Sequence, residues 1–315
     1  MRSTKQKKKS KKWLWISLSV IGILVLAVGG YVFYLFKSAT DTVANINETT
    51  KPGVTTPVND MKSKQPLAIL LMGVDERQGD AGRSDSLIYI TVNPNKKTME
   101  MVSIPRDTRT EIVGRGTQDK INHAYAFGGT EMAINTVKHF LNGLPVNYFV
   151  KVNMESFKDI VDAVGGVEVN NDLDFTYEGT HFTKGPIQLN GTNALRFSRM
   201  RYDDPRGDWG RQLRQRSIIE AVIKKGADIS SITKFGDLFK VVQDNVKTNL
   251  TFDNMWDIQE NYKDARGHIE QHQINGKGVK IDKIYYLEVP DKERLAIIDS
   301  LRNNLDLPAN TASTN

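Results

Sequence analysis

The sequence predicts an α/β domain layered around a mostly buried mixed sheet, preceded by one amino-terminal transmembrane helix. Residues 13–36 form an apolar run of 24 residues without a charge, enough for a helix to cross a bilayer core of about 30 Å. From residue 66 to residue 307, short apolar runs alternate with helical patterns. This alternation is typical of layered α/β domains.

The charges beside the apolar run predict its orientation. Residues 1–12 carry seven basic residues and no acid, and such flanks stay in the cytoplasm. A cleaved signal peptide is the alternative, but the run is long for one and LAVGGYVF has no clear cleavage site. We expect a single-pass type II protein of the cell membrane with these parts: a cytoplasmic tail (1–12), a signal anchor (13–36), an extracellular stalk (37–65), an extracytoplasmic catalytic domain (66–307) and a disordered tail (308–315).

Composition excludes several classes of function. Outside the basic tail, 36 basic residues face 37 acidic ones, so the domain lacks the excess positive charge of a nucleic-acid-binding protein. The lysines of the tail suit anionic membrane lipid. The chain has no cysteine, which excludes disulfides, thiol catalysis and Cys-ligated zinc.

Hydrophobic patterns predict the elements of the domain in order. PLAILLMGV, SLIYITVN and MEMVSIPRD indicate three strands, with NPNKK as the turn between the last two. A helix over residues 122–140, the strand VNYFVKVN and the helix MESFKDIVDAV follow. Three further helices are predicted near 211–225, 232–246 and 252–265, and then the strand IYYLEV and a last helix over 291–305.

Polar side chains lie at the ends of the first three predicted strands. Asp75 follows the first strand, Arg83 and Asp85 precede the second, and Arg106 and Asp107 follow the third. Surface ion pairs explain most such pairs taken singly. Their recurrence at successive strand ends favours a ligand site, because ligands gather at the carboxyl ends of strands in α/β sheets. Asp75 and Asp85 are hard oxygen ligands suited to Mg²⁺.

The segment RFSRMRYDDPRGDWGRQLRQR, residues 196–216, holds seven arginines and no lysine. Arginine differs from lysine in its planar guanidinium group, which can donate two hydrogen bonds to the same phosphate. Arg199 and Arg201 alternate, so we expect them in an extended segment with side chains on one side. Asp208 is predicted to cap the next helix, on which Arg211 and Gln215 lie at i and i+4.

These arginines predict a site for a polyanion. Arg211 lies in the first turn of its helix, where the dipole disfavours a cation unless an anion is bound there. Of the remaining arginines, we expect Arg214 to contact the substrate. The alternative is a solvated charged loop in which Asp203, Asp204 and Asp208 pair with the arginines.

Two histidine motifs suit a structural role better than a catalytic one. His268 and His272 lie at i and i+4 in HIEQH, but the glutamate is not where a zinc protease needs its base. We expect this pair to follow a helix end and to be exposed. His123, in KINHAYAFGG, is expected to be a hydrogen-bonded structural histidine.

These segments together resemble the LytR-CpsA-Psr family of Gram-positive cell envelopes, membrane-anchored enzymes that attach glycopolymers to peptidoglycan. Within the family the resemblance is closest to the teichoic acid transferases, and Arg196 is an extra arginine. The matching features occur in order along the chain: the basic tail and single span, LLMGVDER, GRSDSLIYITVNP, VSIPRDT, INHAYAFGG, FVKVNMESF, VDAVGGVEV and SRMRYDDPRGDWGRQLRQR.

The resemblance implies an α/β/α fold and an undecaprenyl-pyrophosphate-linked polymer, expected to be wall teichoic acid, as substrate. It implies that Asp75 and Asp85 hold Mg²⁺ and that the lipid lies in an apolar tunnel between sheet and helices. It also implies that five arginines and one glutamine hold the pyrophosphate: Arg83, Arg106, Arg199, Arg201, Arg211 and Gln215.

The expected reaction is a phosphoryl transfer. The 6-hydroxyl of a peptidoglycan N-acetylmuramic acid attacks the polymer-side phosphorus, and undecaprenyl phosphate leaves. Such chemistry needs positioning and charge neutralisation more than a covalent nucleophile, so Asp85 and the five arginines are the expected catalytic residues. Asp85 and Asp208 are candidate general bases. A polyprenyl pyrophosphate hydrolase and a non-enzymatic membrane regulator remain as alternatives.

Overall fold

The computed structural model describes residues 37, 46–58, 60–75, 82–226 and 246–309. Helices and 3-10 turns in these ranges are α1 (His123–Phe140), α2 (Met154–Ala163), α3 (Gly191–Arg199), α4 (Asp208–Gly226), α5 (Phe252–Asn261), α6 (Asp291–Asn304) and the turns Met61–Ser63 and Lys263–Gly267. The strands are β1 (Leu67–Val74), β2 (Ser84–Asn93), β3 (Thr98–Ile104), β4 (Arg109–Ile112), β5 (Thr117–Lys120), β6 (Tyr148–Val152), β7 (Val167–Asn171), β8 (Phe175–Tyr177), β9 (Thr180–Phe182), β10 (Gly185–Leu189), β11 (Val246–Thr248), β12 (Ile269–Gln273), β13 (Lys277–Ile281) and β14 (Ile284–Glu288).

A six-stranded mixed sheet forms the centre, in the order β11-β6-β1-β2-β3-β12. β1, β2 and β3 are antiparallel neighbours, whereas β6 is parallel to β1 and β12 is parallel to β3. The mixed α/β fold predicted from the alternating patterns is therefore confirmed.

The sheet is buried on both faces, which explains why its central strands are nearly continuous apolar runs. Leu70 and Met72 of β1 belong to a core cluster with Ile134 of α1 and Ile298 of α6. On the opposite face, Leu67 lies in a second cluster that α5 covers. Helices on both sides of one sheet give three layers.

A third cluster lies beside the sheet, where α2, α3 and α4 pack on the pairs β7–β10 and β8–β9. Phe175, Phe182 and Phe197 are mutual neighbours there, with ring centroids 5.0 to 5.7 Å apart. This cluster fixes α3 and α4, which carry the arginine-rich segment, against the central sheet.

Local signals explain several element boundaries. The NPNKK turn forms as predicted, because the side chain of Asn93 accepts the backbone N–H groups of Asn95 and Lys96. α1 is interrupted at Gly128 and Gly129, and the φ of +63° at Gly129 favours glycine. Residues 123–127 therefore form a turn whose direction differs from that of the rest of α1.

The predicted stalk is wrong for its carboxyl-terminal part. Ile46, Val54 and Met61 are buried in the core, and Asn47 forms a bridge with Thr248 at the edge of the sheet. The folded domain therefore includes residues before the predicted boundary at 66.

Two other predictions lie wholly or mostly outside the described residues: the span over 13–36 and the helix over 232–246. In the part of the chain that the structure describes, no helix has both the length and the apolar character needed to cross a membrane.

Candidate functional site

A β-bulge between β1 and β2 sets the position of Asp85. Gly73 is paired with Ser86 and Val74 with Ser84, so Asp85 is the extra residue between these pairs. Bulges re-aim side chains and are frequent next to active sites. A Cβ on Gly73 would lie 3.0 Å from the Cβ of Ser86, so glycine allows the two strands to approach closely here.

The bulge also brings the backbones of Asp75 and Asp85 to one carbonyl group. The backbone N–H groups of Asp75 and Asp85 both donate to the carbonyl of Arg83, at 3.3 and 3.1 Å. The two aspartates are partly buried, and Arg83 is exposed. The predicted metal ligands and the first predicted arginine therefore share one strand end.

Asp85 is linked to the end of β3. Its Oδ1 lies 3.2 Å from a guanidinium nitrogen of Arg106 and accepts a hydrogen bond of 3.2 Å from Asn122. Arg106 also approaches Asp107 at 3.8 Å, and Asp107 is paired with Lys120 at 2.7 Å. The sequence predicted no role for Asn122, whose only signal was its place at the start of a predicted helix.

The extended segment predicted for Arg199 and Arg201 is wrong. Arg199 is the last residue of α3, which Asn190 caps by accepting a backbone N–H with its side chain. The helix forms because Ala194 and Phe197 are buried in the third core cluster. Arg199 remains exposed and Arg201 half-buried in the turn that follows.

Asp208 is the first residue of α4 and binds two of the predicted arginines. Its carboxylate lies 2.6 Å from Arg211 and 3.9 Å from Arg201. It therefore supplies the negative charge that the position of Arg211 required, and that position is no longer evidence for a bound anion. One turn on, Gln215 accepts a hydrogen bond of 3.1 Å from Ser86, which ties α4 to the bulge.

Arg214 has a structural role instead of the substrate contact predicted for it. Its guanidinium is buried and lies 2.6 Å from Asp204. Its other nitrogens donate to the backbone carbonyls of Phe197 and Met200. Each nitrogen is thus engaged inside the protein. Arg196 also lies away from the site, where it donates to Thr180.

Asp204 holds a second arginine, Arg206, at 3.0 Å. Burial alone would raise the pKa of Asp204, but hydrogen bonds from Arg206 and Arg214 outweigh it and lower this pKa to about 2. A Cβ at Gly210 would lie 1.8 Å from the Asp204 carboxylate. Glycine at position 210 is therefore a condition for this buried cluster.

An apolar cavity of about 540 Å³ lies between the sheet and helices α4 and α5. It extends along β2 from Ser86 to Val92, a distance of about 20 Å for six residues of strand. Aliphatic side chains such as Ile69, Ile88 and Ile90 line most of it. Polar residues line it in two groups. One comes from the bulge, the end of α3 and the start of α4: Asp85, Ser86, Ser198, Arg199, Arg211 and Gln215. The other comes from α5 and the 3-10 turn that follows it: Gln259, Lys263 and Arg266.

One face of α4 shows the same division between polar and aliphatic residues. Arg211, Gln215, Ile219 and Ile223 line the cavity at successive i+4 positions, so they lie on one face of the helix. This face begins with a cation and an amide and continues with two aliphatic residues. It can therefore contact an anionic head and an apolar tail of the same molecule.

The residues at the bulge fit a divalent cation that prefers oxygen. Asp75 and Asp85 offer carboxylates from one strand end. Beside them, Oδ1 of Asn122 is buried and has no hydrogen-bond partner in the described part of the chain. Two carboxylates with further oxygens from a substrate phosphate are the usual environment of protein-bound Mg²⁺.

The histidine predictions have different outcomes. His123 forms a hydrogen bond of 2.9 Å with Asp119, as expected. His268 is exposed and directly follows the 3-10 turn Lys263–Gly267, as expected. His272 is not exposed, because it lies in β12 and contacts the buried Glu100 at 2.7 Å. Glu100, Glu270 and His272 could offer three metal ligands within 4.8 Å of one another. Glu100 also accepts a hydrogen bond of 2.8 Å from Ser300, so its burial is explained without a metal.

The fold and the site together define a layered α/β protein with a long, mainly aliphatic cavity that arginines line where it meets the bulge. The model of the LytR_cpsA_psr family matches residues 32–303. The chain belongs to the LytR-CpsA-Psr family, which confirms the resemblance seen in the sequence.

Relatives and solved structures agree with this assignment. The chain is 56% identical over 307 residues to the polyisoprenyl-teichoic acid–peptidoglycan teichoic acid transferase TagU of Bacillus subtilis (strain 168), covering 97% of this chain and 100% of the relative. The crystal structure of B. subtilis TagU matches with a TM-score of 0.64 and 56% identity, covering 77% of this chain and 97% of that one. A structure from Enterococcus faecalis, described as a transcriptional regulator, matches with a TM-score of 0.73 and 40% identity, covering 81% and 93%.

Proposed function

We propose that this protein is a phosphotransferase that moves wall teichoic acid from an undecaprenyl-pyrophosphate-linked intermediate to the 6-hydroxyl of peptidoglycan N-acetylmuramic acid. Undecaprenyl phosphate is released. The name of the B. subtilis relative, polyisoprenyl-teichoic acid–peptidoglycan teichoic acid transferase, supports the substrate class.

The observation that carries the proposal is the lining of the cavity. Its aliphatic length suits a polyprenyl chain, which would bury apolar surface there. The pyrophosphate head would then lie among Arg199, Arg211 and Gln215, beside Asp85. A nucleotide or a free sugar lacks the long apolar segment that would fill this cavity.

In the proposed reaction, the protein binds and neutralises the pyrophosphate. Arg199 and Arg211 grip oxygens of the lipid-side phosphate, which gains negative charge as the bond to the polymer-side phosphorus breaks. Arg106, paired with Asp85, and the exposed Arg83 would contact the polymer-side phosphate. Asp208 orients Arg211 and Arg201.

Mg²⁺ is proposed to be held by Asp75 and Asp85. When bound, the ion would neutralise pyrophosphate oxygens and favour departure of the leaving phosphate. Asp85 would then have two tasks, because it also pairs with Arg106 and so holds the end of β3 against the bulge.

The decisive experiment is a transfer assay with the full-length chain in lipid vesicles, an undecaprenyl-pyrophosphate-linked teichoic acid and peptidoglycan. We expect polymer to become attached to peptidoglycan. Release of free polymer at the same rate with and without peptidoglycan would identify a hydrolase instead. Absence of both reactions would contradict an enzymatic function and favour the membrane regulator.

The membrane anchor over residues 13–36 and the extracytoplasmic position of the domain remain part of this proposal. They rest on the seven basic residues that precede the apolar run. A reporter that is active only outside the cytoplasm, fused after Asn315, should be active. Activity of a cytoplasmic reporter at the same position would contradict both the orientation and access to peptidoglycan.

A further inference from the structure

The proposed reaction needs a group that takes the proton of the acceptor hydroxyl, and a histidine–aspartate pair lies next to the site. Nδ1 of His123 is 2.9 Å from Oδ2 of Asp119. The other oxygen of Asp119 accepts the backbone N–H of Lys120 at 2.7 Å and the hydroxyl of Tyr286 at 3.5 Å. Asp119 is therefore held in place and holds the imidazole in turn.

The hydrogen bond between Asp119 and His123 also decides which nitrogen of the imidazole is available as an acceptor. Burial would raise the pKa of Asp119, but the hydrogen bond from His123 and that from the backbone of Lys120 outweigh it and lower this pKa. An ionised Asp119 accepts the proton of Nδ1, and the neutral imidazole then presents Nε2 as an acceptor. This is the arrangement in which histidine acts as a general base.

The position of the pair relative to the bulge follows from its neighbour in the chain. Asn122 donates to Asp85, and its backbone N–H donates to the carbonyl of Arg106 at 3.3 Å. His123 is the next residue and begins α1. Because α1 is interrupted at Gly128 and Gly129, the turn of residues 123–127 is placed by these contacts with the site.

An exposed aromatic ring lies beside the imidazole. Phe127, one turn after His123, is 42% exposed, and its ring meets the imidazole edge-on with centroids 6.0 Å apart. Arg115 lies 4.0 Å from the centroid of the same ring. Arg115 covers one face of the ring, and the exposed remainder of the ring is available to the C–H groups of a sugar. Arg115 offers donors to the hydroxyls of the same sugar.

We propose that the turn of residues 123–127 binds the acceptor saccharide, and that Nε2 of His123 accepts the proton of its attacking hydroxyl while Asp119 positions the imidazole. This inference rests on the proposed transferase function and adds the acceptor subsite and the general base, a role for which the sequence offered only Asp85 and Asp208. Asp85 is already paired with Arg106 and Asn122, and Asp208 with Arg211.

The proposed step is balanced. The O–H bond of the acceptor breaks and its proton moves to Nε2, while the hydroxyl oxygen forms a bond to the polymer-side phosphorus. The bond from that phosphorus to the bridging oxygen breaks, and its electron pair stays on undecaprenyl phosphate. The imidazolium then returns its proton to solvent.

The charged and titratable groups around the pair come from several elements. The imidazole contacts Asp119 of β5 directly. Tyr286 of β14 contacts Asp119, and Arg115, in the turn between β4 and β5, lies over the neighbouring ring of Phe127. Lys120 of β5 is paired with Asp107 at 2.7 Å. Asp119 is therefore the charged group that holds the imidazole.

The first test compares two histidine variants of the full-length chain. His123→Gln should reduce kcat for transfer at least a hundredfold, within the usual range for a lost general base. His181→Gln is the matched control, because His181 forms an exposed pair with Asp174 at the same 2.9 Å but outside the site. Binding of farnesyl pyrophosphate and the melting temperature should be unchanged in both variants.

The second test is the pH profile of kcat, which a purely structural role would not alter. Wild type should lose transfer towards acid pH as a histidine becomes protonated, and this limb should be absent from the residual rate of His123→Gln. Asp119→Asn removes the carboxylate that positions the imidazole and should reduce kcat at least tenfold while farnesyl pyrophosphate binding is unchanged, because a general base must be held within reach of the proton it accepts. Phe127→Ala should raise KM for peptidoglycan and leave farnesyl pyrophosphate binding unchanged.

The inference is overturned if His123→Gln transfers within threefold of His181→Gln or keeps the acid limb of wild type. If His123→Gln does not fold, wild-type kcat in Asp119→Asn overturns it. A wild-type protein that hydrolyses the donor without transfer would refute the proposed function itself. Transfer by wild type with full activity of His123→Gln would refute only the role of His123.

Discussion

Four arginines of the segment from 196 to 216 fall into two groups with different environments. Arg206 and Arg214 bind Asp204, and Arg214 is almost wholly buried. Arg199 and Arg211 line the mainly aliphatic cavity beside the bulge, and Arg211 is also paired with Asp208. Internal pairing, one of the two explanations that the sequence allowed, therefore describes the first group. The second group lies where a ligand in the cavity would contact it.

Removal of Asp204 should have the largest effect on the structural group. Asp204→Ala leaves Arg214 buried without its counter-ion, and we expect a loss of about 3–5 kcal/mol in the free energy of unfolding. Urea denaturation measures it. Asp203→Ala, at an exposed neighbour, should change stability by less than about 0.5 kcal/mol. Equal stability of the two variants would contradict the structural role of this cluster.

Removal of Asp85 should have the largest effect on the ligand group. Asp85→Ala should reduce transfer by about 10², the usual cost of one preorganised electrostatic group, and EDTA should imitate the loss in wild type. Asp174→Ala, an exposed aspartate paired with His181, is the control. Full activity of wild type in excess EDTA would exclude the proposed Mg²⁺.

Acid should weaken the ion pairs that Asp204 forms with Arg206 and Arg214. The pKa of Asp204 is lowered from 3.8 to about 2 in the folded protein, so between these values the unfolded state binds more protons than the folded state. The stability it contributes, about 2 kcal/mol, is present above about pH 4 and lost as the pH falls towards 2. Urea denaturation between pH 2 and 5 should show a steeper fall for wild type than for Asp204→Asn. Parallel curves would count against this linkage.

The smallest effect we predict concerns geometry at constant charge. Arg201→Lys keeps the charge but loses the planar guanidinium group, and transfer should fall at least tenfold, about 1.4 kcal/mol, with normal melting. Arg302→Lys is the control, because Arg302 lies near the carboxyl end of the chain, where its guanidinium donates to the carbonyl of Pro308. This variant should leave transfer unchanged. Wild-type transfer by Arg201→Lys would mean that charge alone is sufficient.

The central sheet and its covering helices could be predicted because their apolar patterns are long and regular. α3 could not, since its apolar face is short and its stability comes from the packing of Ala194 and Phe197 in a cluster assembled from distant segments. The buried residues of the predicted stalk were missed for the same reason. Ile46 lies in a polar stretch, and its burial depends on residues around position 250.

The composition of the site was predicted better than its contacts. The strand-end rule located Asp75, Asp85 and Arg106, but the bulge that aims Asp85 depends on a register shift that no local pattern reveals. Spacing also could not separate Arg211 from Arg214. That distinction depends on the loop bearing Asp204, which folds against α4 where Gly210 leaves space for its carboxylate.

The cavity also makes the stability of this protein depend on the amphiphiles present in its solution. Any chain-like amphiphile that enters it binds the folded state and not the unfolded one, and at a hundred times its dissociation constant it adds about 2.7 kcal/mol to the unfolding free energy. A detergent used for extraction would therefore raise the melting temperature and, for the same reason, compete with the lipid donor. Melting curves recorded at two detergent concentrations would thus report the affinity of the cavity before any substrate is added.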